Sequence, residues 1–319
     1  TYTATDGSTQ QITVTITGTD DASVITGTVT GAVNEGNLGD APVTATGSIA
    51  ISDADDDDSP AFNDVGSTVG DNSFGSFTLT GGTWTNTLDQ TAVQNLDAGD
   101  VVNDTITYTA TDGSTQQISV TITGTDDASV ITGTVTGAVN EGNIGDAPVT
   151  ARGSIAIGDV DDDDSPAFND VGSTVGDNSF GSFVLTGGTW TYTLDQTAVQ
   201  NLDAGDVVND TITYTATDGS TQQITVTITG TDDASVITGT VTGAVTEGNP
   251  GEAPVTASGS IAIGDVDDDD SPAFNDVGST FGDKSFGCFT LTGGTWTYTL
   301  DQTAVQNLDA GDVVNDTIT

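Results

Sequence analysis

Apolar residues alternate with threonine along much of the chain. "QQITVTITG" (10–18) and "GSFTLTGGTWTNTL" (75–88) show the pattern, and a period of two is that of a strand with one face buried. In residues 128–233, "VITGTVTGAV" reads as a first edge strand, and "TARGSIAIGD" as a second with Ile155 and Ile157 inward. "FGSFVLTGGTWTYTL" predicts a hairpin on Gly187-Gly188, the two positive-φ positions of a tight turn. That register sets Leu185 opposite Trp190 and Phe183 opposite Tyr192. "QTAVQNLDAGD" predicts a single helical turn ending at Gly205. "TITYTAT" and "QITVTITG" follow as strands with Ile212, Tyr214, Ile224, Val226 and Ile228 inward. About seven short strands, with turn signals every ~8–12 residues, predict a β-sandwich.

The same pattern returns with a period of 106 residues. "TATDGSTQQI" starts at 3, 109 and 215, and "DDDDSPAFNDVGST" at 55, 161 and 267. Substitutions between copies are few: Asn86 against Tyr192 and Tyr298, Ser76 and Ser182 against Cys288, Asn72 and Asn178 against Lys284. A period near 100 residues is a whole sandwich and too long for a solenoid unit. Cutting at the polar "TDDAS" joints predicts repeats at 22–127 and 128–233. Residues 1–21 are then the last strands of a preceding repeat, and 234–319 a repeat lacking its last strands. The chain opens on Thr1 with no signal sequence, and the expectation is a segment of a longer array.

Charge changes the picture. The chain has 48 acids against 2 basic residues, no His, and a formal net charge of −46. Contact with a nucleic-acid backbone or an anionic leaflet needs Lys and Arg, so nucleic acid is excluded as a partner. Without His there is no Ser-His-Asp triad and no imidazole metal site. Cys288 alone makes neither a disulfide framework nor a thiolate zinc site. No apolar run nears the ~20 residues of a membrane span, so no membrane insertion is expected. The acids gather in loops: "DADDDD" at 53–58 returns as "DVDDDD" at 159–164 and 265–270. A solvated acidic surface would place acids on outward strand positions, which here hold Thr. All-oxygen loops of repelling carboxylates call for a hard cation, and Ca2+ with its 6–8 oxygens in loose geometry fits better than Mg2+.

The order of these loops resembles the cadherin repeat, and more closely the bacterial cadherin-like repeats of the VCBS type found in giant type I-secreted, RTX-type biofilm adhesins. The residues carrying the resemblance are Glu35 in "NEG", Asp53 and Asp55 in "ISDADDDD", and Asp97 and Asp100 in "NLDAGD". Asp112 in "ATDG" and Asp126 and Asp127 in "GTDDAS" complete the series. Two departures stand out: the joint has Ala128-Ser129 where the family has Asn and Pro, and Asp100 sits one residue late. The resemblance implies an all-β fold of tandem cadherin/immunoglobulin-like Greek-key β-sandwiches in a linear calcium-bridged array. By the same resemblance, the joint near 127 would take ligands from Glu35, Asp97, Asp100, Asp126, Asp127, Asp159, Asp161 and Asp218. The joint near 233 would use Glu141, Asp203, Asp206, Asp232, Asp233, Asp265 and Asp267. The joint near 21 would use Asp20, Asp21, Asp53, Asp55 and Asp112, without a preceding Glu. The middle joint is expected to bind best.

The function this implies is a non-catalytic extender of a large extracellular bacterial surface adhesin, stiffened by Ca2+ at its joints, with neighbouring repeats as partners. An assembly reading stands beside it: a filament subunit whose N-terminal strands complete the last repeat of another copy. A calcium-dependent carbohydrate-binding module would need an accessible Trp84, Trp190 or Trp296, which the pattern assigns to the core. Glycosidase chemistry needs paired carboxylates with one pKa raised by an apolar pocket, and these acid runs offer none.

Overall fold

The computed structural model describes residues 1–37 and 39–319. In the stretch 22–127 the chain first runs Val24–Gly27 along one sheet, then crosses to Thr30–Asn34 in another. The first sheet has five strands in the order Val24–Gly27, Thr44–Ser52, Thr83–Leu88, Gly75–Thr80 and Val65–Val69. The second has three: Thr30–Asn34 parallel to Thr115–Thr123, which pairs antiparallel with Val101–Thr109. Residues 128–233 repeat this arrangement, with sheets of five and three strands.

Inward residues of both sheets form one core. In the first repeat Ile49, Phe77, Leu79 and Trp84 meet Ile106, Tyr108, Ile118, Val120 and Ile122. In the second, Ile155, Phe183, Leu185 and Trp190 meet Ile212, Tyr214, Ile224, Val226 and Ile228. Each is an all-β sandwich. The hairpin register is as the alternation predicts, with Phe183 across from Tyr192 and Leu185 across from Trp190. Its turn glycines, Gly187 and Gly188, have φ of 54° and 74°. Outward positions carry Thr, which fits a pleated surface without adding apolar area.

Two expectations need correction. "VITGTVTGAV" is not one edge strand: it is Val130–Gly133 in the five-stranded sheet and Thr136–Asn140 in the three-stranded one. The break falls at Gly133, whose φ of 125° suits only glycine, and where a Cβ would run into the Ser154 carbonyl. Trp190 anchors the crossing by donating from Nε1 to the Thr134 carbonyl at 2.7 Å. The helical turn is shorter than expected, a 3₁₀ turn at Gln196–Ala198 capped by Asp195, with Ile157 only half-buried upstream.

The chain divides into two compact units. The first is Thr1–Val130 with Ile157–Pro166, and the second is Ile131–Ala156 with Ala167–Thr319. The acid run at 159–164 therefore packs within the first unit. Residues 1–21 form a two-residue strand pair, Tyr2–Thr3 with Thr9–Gln10, beyond which Ile12, Val14 and Ile16 are exposed. Residues 234–319 supply a five-stranded sheet, and among the described residues no three-stranded sheet faces it. Its core is reduced to Tyr298, Leu300 and Val305, with Phe289 and Trp296 half-buried. Among the described residues no helix is long and apolar enough to cross a membrane.

Candidate metal centre

Within the first unit, Glu35 follows the strand Thr30–Asn34 and its backbone N–H donates to the Thr123 carbonyl at 2.9 Å. Its carboxylate accepts from Gln94 Nε2 at 3.1 Å and from the Thr125 N–H at 3.3 Å. Gln94 also donates to the Gly36 carbonyl at 2.7 Å, which fixes the amide that fixes the acid. Glu35 is only 5% exposed. Burial, with the charges of Asp127 and Asp161 behind it, pushes its pKa up to about 7.

The acid run folds around Asp161. Asp159 Oδ1 accepts from the Asp161 N–H at 3.1 Å, and its Oδ2 accepts from Ser129 Oγ at 2.8 Å. Asp161 Oδ2 accepts from the Asp127 N–H at 2.8 Å. Asn95 Nδ2 donates to Asp162 at 2.7 Å, and Asp97 accepts from the Asp163 N–H at 3.2 Å. The last residue of the run, Asp164, turns back: its N–H donates to the Asp161 carbonyl at 3.4 Å. Ligand atoms of Asp97, Asp161 and Asp164 consequently lie within 4.8 Å of one another.

Two oxygens in this cluster are buried and have no hydrogen-bond partner, Asp127 Oδ2 and Asp161 Oδ1. The residues are 8% and 3% exposed. A buried carboxylate oxygen without a partner is costly, and the usual remedies are a cationic side chain or a metal. No cationic side chain serves: among the described residues the one ion pair is Lys284 with Asp283. Burial, then the charges of Asp161, Asp159 and Asp126, raises the pKa of Asp127. Burial likewise raises Asp97 and Asp164, with neighbouring acids adding to it.

The second unit repeats the arrangement. Asp267 Oδ2 accepts from the Asp233 N–H at 2.8 Å, and Asp203, Asp267 and Asp270 gather within 4.8 Å. Asp233 Oδ2 and Asp267 Oδ1 are the unpartnered buried oxygens. Glu141 accepts from Gln200 Nε2 and the Thr231 N–H, and burial followed by the Asp233 and Asp267 charges raises its pKa. Ser235 Oγ donates to Asp265 at 2.7 Å, and this hydrogen bond is the main cause of that group's lowered pKa.

Near residue 21 the cluster is Asp20, Asp55 and Asp58. It is more open: Asp20 and Asp58 are exposed and Asp55 is half-buried. Asp55 accepts from the Asp21 N–H at 2.8 Å, and Ser23 Oγ lies 2.5 Å from Asp112 and 2.9 Å from Asp53, its single proton shared between the two carboxylates. No unpartnered buried oxygen occurs among these acids.

Of the residues expected as ligands, Asp97, Asp161, Asp203, Asp267, Asp20 and Asp55 enter the tight clusters, while Glu35, Asp127, Glu141 and Asp233 line their buried side. Asp100 and Asp206 stand outside the three-residue groups, giving their carbonyls to Gly124 and Gly230. Asp126 and Asp232 also stand outside, acting on Asp127 and Asp233 by charge. Asp218 accepts from Ser220 N and Oγ at 2.9 Å. Asp58, Asp164 and Asp270 were not among the expected ligands. Their signal was present in the sequence: three residues after Asp55, Asp161 or Asp267 is the return of one tight turn.

The donor set is carboxylate throughout, so the residues fit a hard divalent cation of the calcium type. As for stacking on sugars, Trp84 and Trp190 have no exposed surface.

No protein-family model matches the chain, and the comparison with curated proteins gives no match. Among solved structures it is similar to protocadherin gammaB7 ectodomains EC3-6, at 12% identity over 88% of this chain and 65% of that one, with a TM-score of 0.42. It is also similar to a 1.5-MDa bacterial ice-binding adhesin, at 15% identity over 90% of both chains and a TM-score of 0.22. A third likeness is to a Ca2+-stabilized, ice-binding adhesin of an Antarctic bacterium, at 13% identity over 90% of this chain and 68% of that one, with a TM-score of 0.21. The chain thus spans just under two thirds of the protocadherin, and the sandwich is defined by the strand order and cores described above.

Proposed function

We propose that this chain is a non-catalytic extender of an extracellular adhesin, in which Ca2+ ties each repeat to the acid loop of the next. One observation carries the reading: Asp127 Oδ2 and Asp161 Oδ1, and their counterparts Asp233 Oδ2 and Asp267 Oδ1, are buried oxygens without partners in clusters that no basic side chain neutralises. Glu35, Asp97, Asp127, Asp161 and Asp164 would hold the ion near residue 127. Glu141, Asp203, Asp233, Asp267 and Asp270 would hold it near 233. Bound calcium would supply positive charge and nothing else. The chain's own part is to present pre-folded carboxylates: Gln94 orients Glu35, Asp159 shapes the turn that aims Asp161, and Asn95 pins Asp162.

Asp97 and Asp127 come from one sequence repeat and Asp159 to Asp164 from the following one, so a shared ion couples the two. With the cation removed, like charges face each other and the coupling is lost. An array of near-identical repeats suits spacing rather than recognition. The test is a limited-proteolysis series on the full chain with calcium or chelator. Protection of residues 126–130 and 157–166 by calcium supports the reading, and equal cleavage in both conditions contradicts it.

A second reading, end-to-end association by strand addition, is favoured by one observation. Ile12, Val14 and Ile16 are exposed, whereas Ile224, Val226 and Ile228, in a segment of identical sequence, are core. Sedimentation velocity separates the readings: concentration-dependent growth supports strand exchange, and a single monomer boundary excludes it.

A further inference from the structure

Among the described residues the two complete sandwiches differ at one position buried in both, and the difference strands polar atoms. In the second repeat the Tyr192 ring packs 4.6 Å from that of Phe183, and its hydroxyl donates to Asp210 Oδ2 at 3.2 Å. Asp210 has no exposed surface, and its other oxygen accepts from the N–H groups of Asn178 at 3.0 Å and Thr211 at 3.1 Å. Tyr298 repeats the arrangement, 4.7 Å from Phe289 and 3.2 Å from Asp316 Oδ2.

In residues 22–127 the position is Asn86, opposite Phe77 in the same register. Asp104 keeps the N–H donors of Asn72 and Thr105, both at 3.0 Å. Its Oδ2, however, has no partner, and neither do Asn86 Oδ1 and Asn86 Nδ2; all three atoms are buried. The frame is otherwise unchanged, since Gly70 lies against the Asp104 carboxylate as Gly176 does against Asp210. Asn lacks the three outer ring carbons and the hydroxyl of Tyr, so the short amide leaves unfilled the space through which the phenol reaches the acid.

We infer that the gap between Asn86 and Asp104 is an internal hydration site, holding about two ordered waters, and that it makes the 22–127 sandwich the first of the two complete ones to open. A void lined by polar atoms takes up water, whereas an apolar one stays dry. Water donating to Asp104 Oδ2 and Asn86 Oδ1, and accepting from Asn86 Nδ2, satisfies all three atoms. It does not replace the ring's apolar contact with Phe77, which is why the module is weaker.

The experiment is hydrogen exchange by mass spectrometry on the full chain in calcium, comparing hairpin 75–88 with hairpin 181–194. These peptides differ in sequence, whereas 9–17 and 221–229 are identical and cannot be told apart. Hairpin 75–88 should exchange at least about tenfold faster. Asn86→Tyr should slow it to the rate of 181–194, and Tyr192→Asn should speed the second hairpin to the rate of the first. A water–amide NOE at the Asn86 side chain should be present in the parent chain. Equal exchange of the two hairpins in the parent chain overturns the inference. So does a Tyr192→Asn variant with unchanged exchange, or an Asn86 amide with no long-lived water.

Discussion

Stripping divalent cations from the chain and raising the pH from about 4 to 8 should lower its melting temperature, and most of the loss should fall between about pH 4.5 and 7. Glu35 is the reason. In the cation-free fold its pKa stands at about 7 against an ordinary 4.5, chiefly because it is buried and secondarily because Asp127 and Asp161 repel its charge. A carboxyl whose folded pKa is raised holds its proton longer folded than unfolded. Stability is therefore greatest below the unfolded pKa, declines as pH rises toward 7, and is flat above. The difference corresponds to about 3 kcal/mol at most, or a melting shift on the order of 10 °C for a domain of this size. Glu141, Asp127 and Asp233 are raised too, so they act with the same sign. On the proposed reading calcium should reverse the trend, because the ionised carboxylate would be its ligand and binding would expel the proton. The assay is scanning calorimetry of resin-stripped protein at four pH values, with and without saturating calcium, alongside Glu35→Gln. That variant should melt higher than the parent when cation-free at pH 7.5 and bind calcium more weakly. A stripped protein whose melting is independent of pH, or one that declines equally in calcium, refutes the reasoning.

Further outcomes follow from single residues. Asp161→Asn should lower calcium affinity at least about tenfold while leaving the cation-free fold no less stable, because it removes a repelling charge. Asp57→Asn, an exposed acid outside the clusters, should do neither, and calorimetric titration of both variants distinguishes site from general charge. Trp190→Ala should cost about 3–5 kcal/mol in urea unfolding, and Trp296→Ala less, since Trp190 is fully buried and Trp296 half-exposed. Gly133→Ala should cost at least about 1–3 kcal/mol, read by the same urea titration, because φ is 125° there and the Ser154 carbonyl fills the space.

The parts of the fold legible in the sequence are those governed by a period of two. In 181–194 one residue of slip would turn Phe183 and Leu185 outward, so the hairpin register follows from the alternation and the Gly-Gly turn. The crossing at Gly133 was hidden because the alternation of "VITGTVTGAV" runs straight through it. Only the backbone angle, and the Ser154 carbonyl pressed against the glycine, reveal that the chain changes sheets. Asp161 and Asp97 were legible as acids in loops, but Asp164 depends on a turn closing back on Asp161. Gln94 and Asn95 carried no charge to mark them, and their role in holding Glu35 and Asp162 arises from packing. Asn86 was visible as a substitution. Its consequence was not, since Asp104 lies eighteen residues further on and only the fold brings it opposite.

The most direct measurement is a calorimetric titration of calcium into the resin-stripped full chain, repeated on Asp161→Asn, Asp267→Asn and the double variant. The account predicts saturable uptake that falls by about half in each single variant and loses its tight phase in the double one. Uptake that is unsaturable, or unchanged across all four proteins, would mean that calcium only screens an acidic surface, and would contradict it.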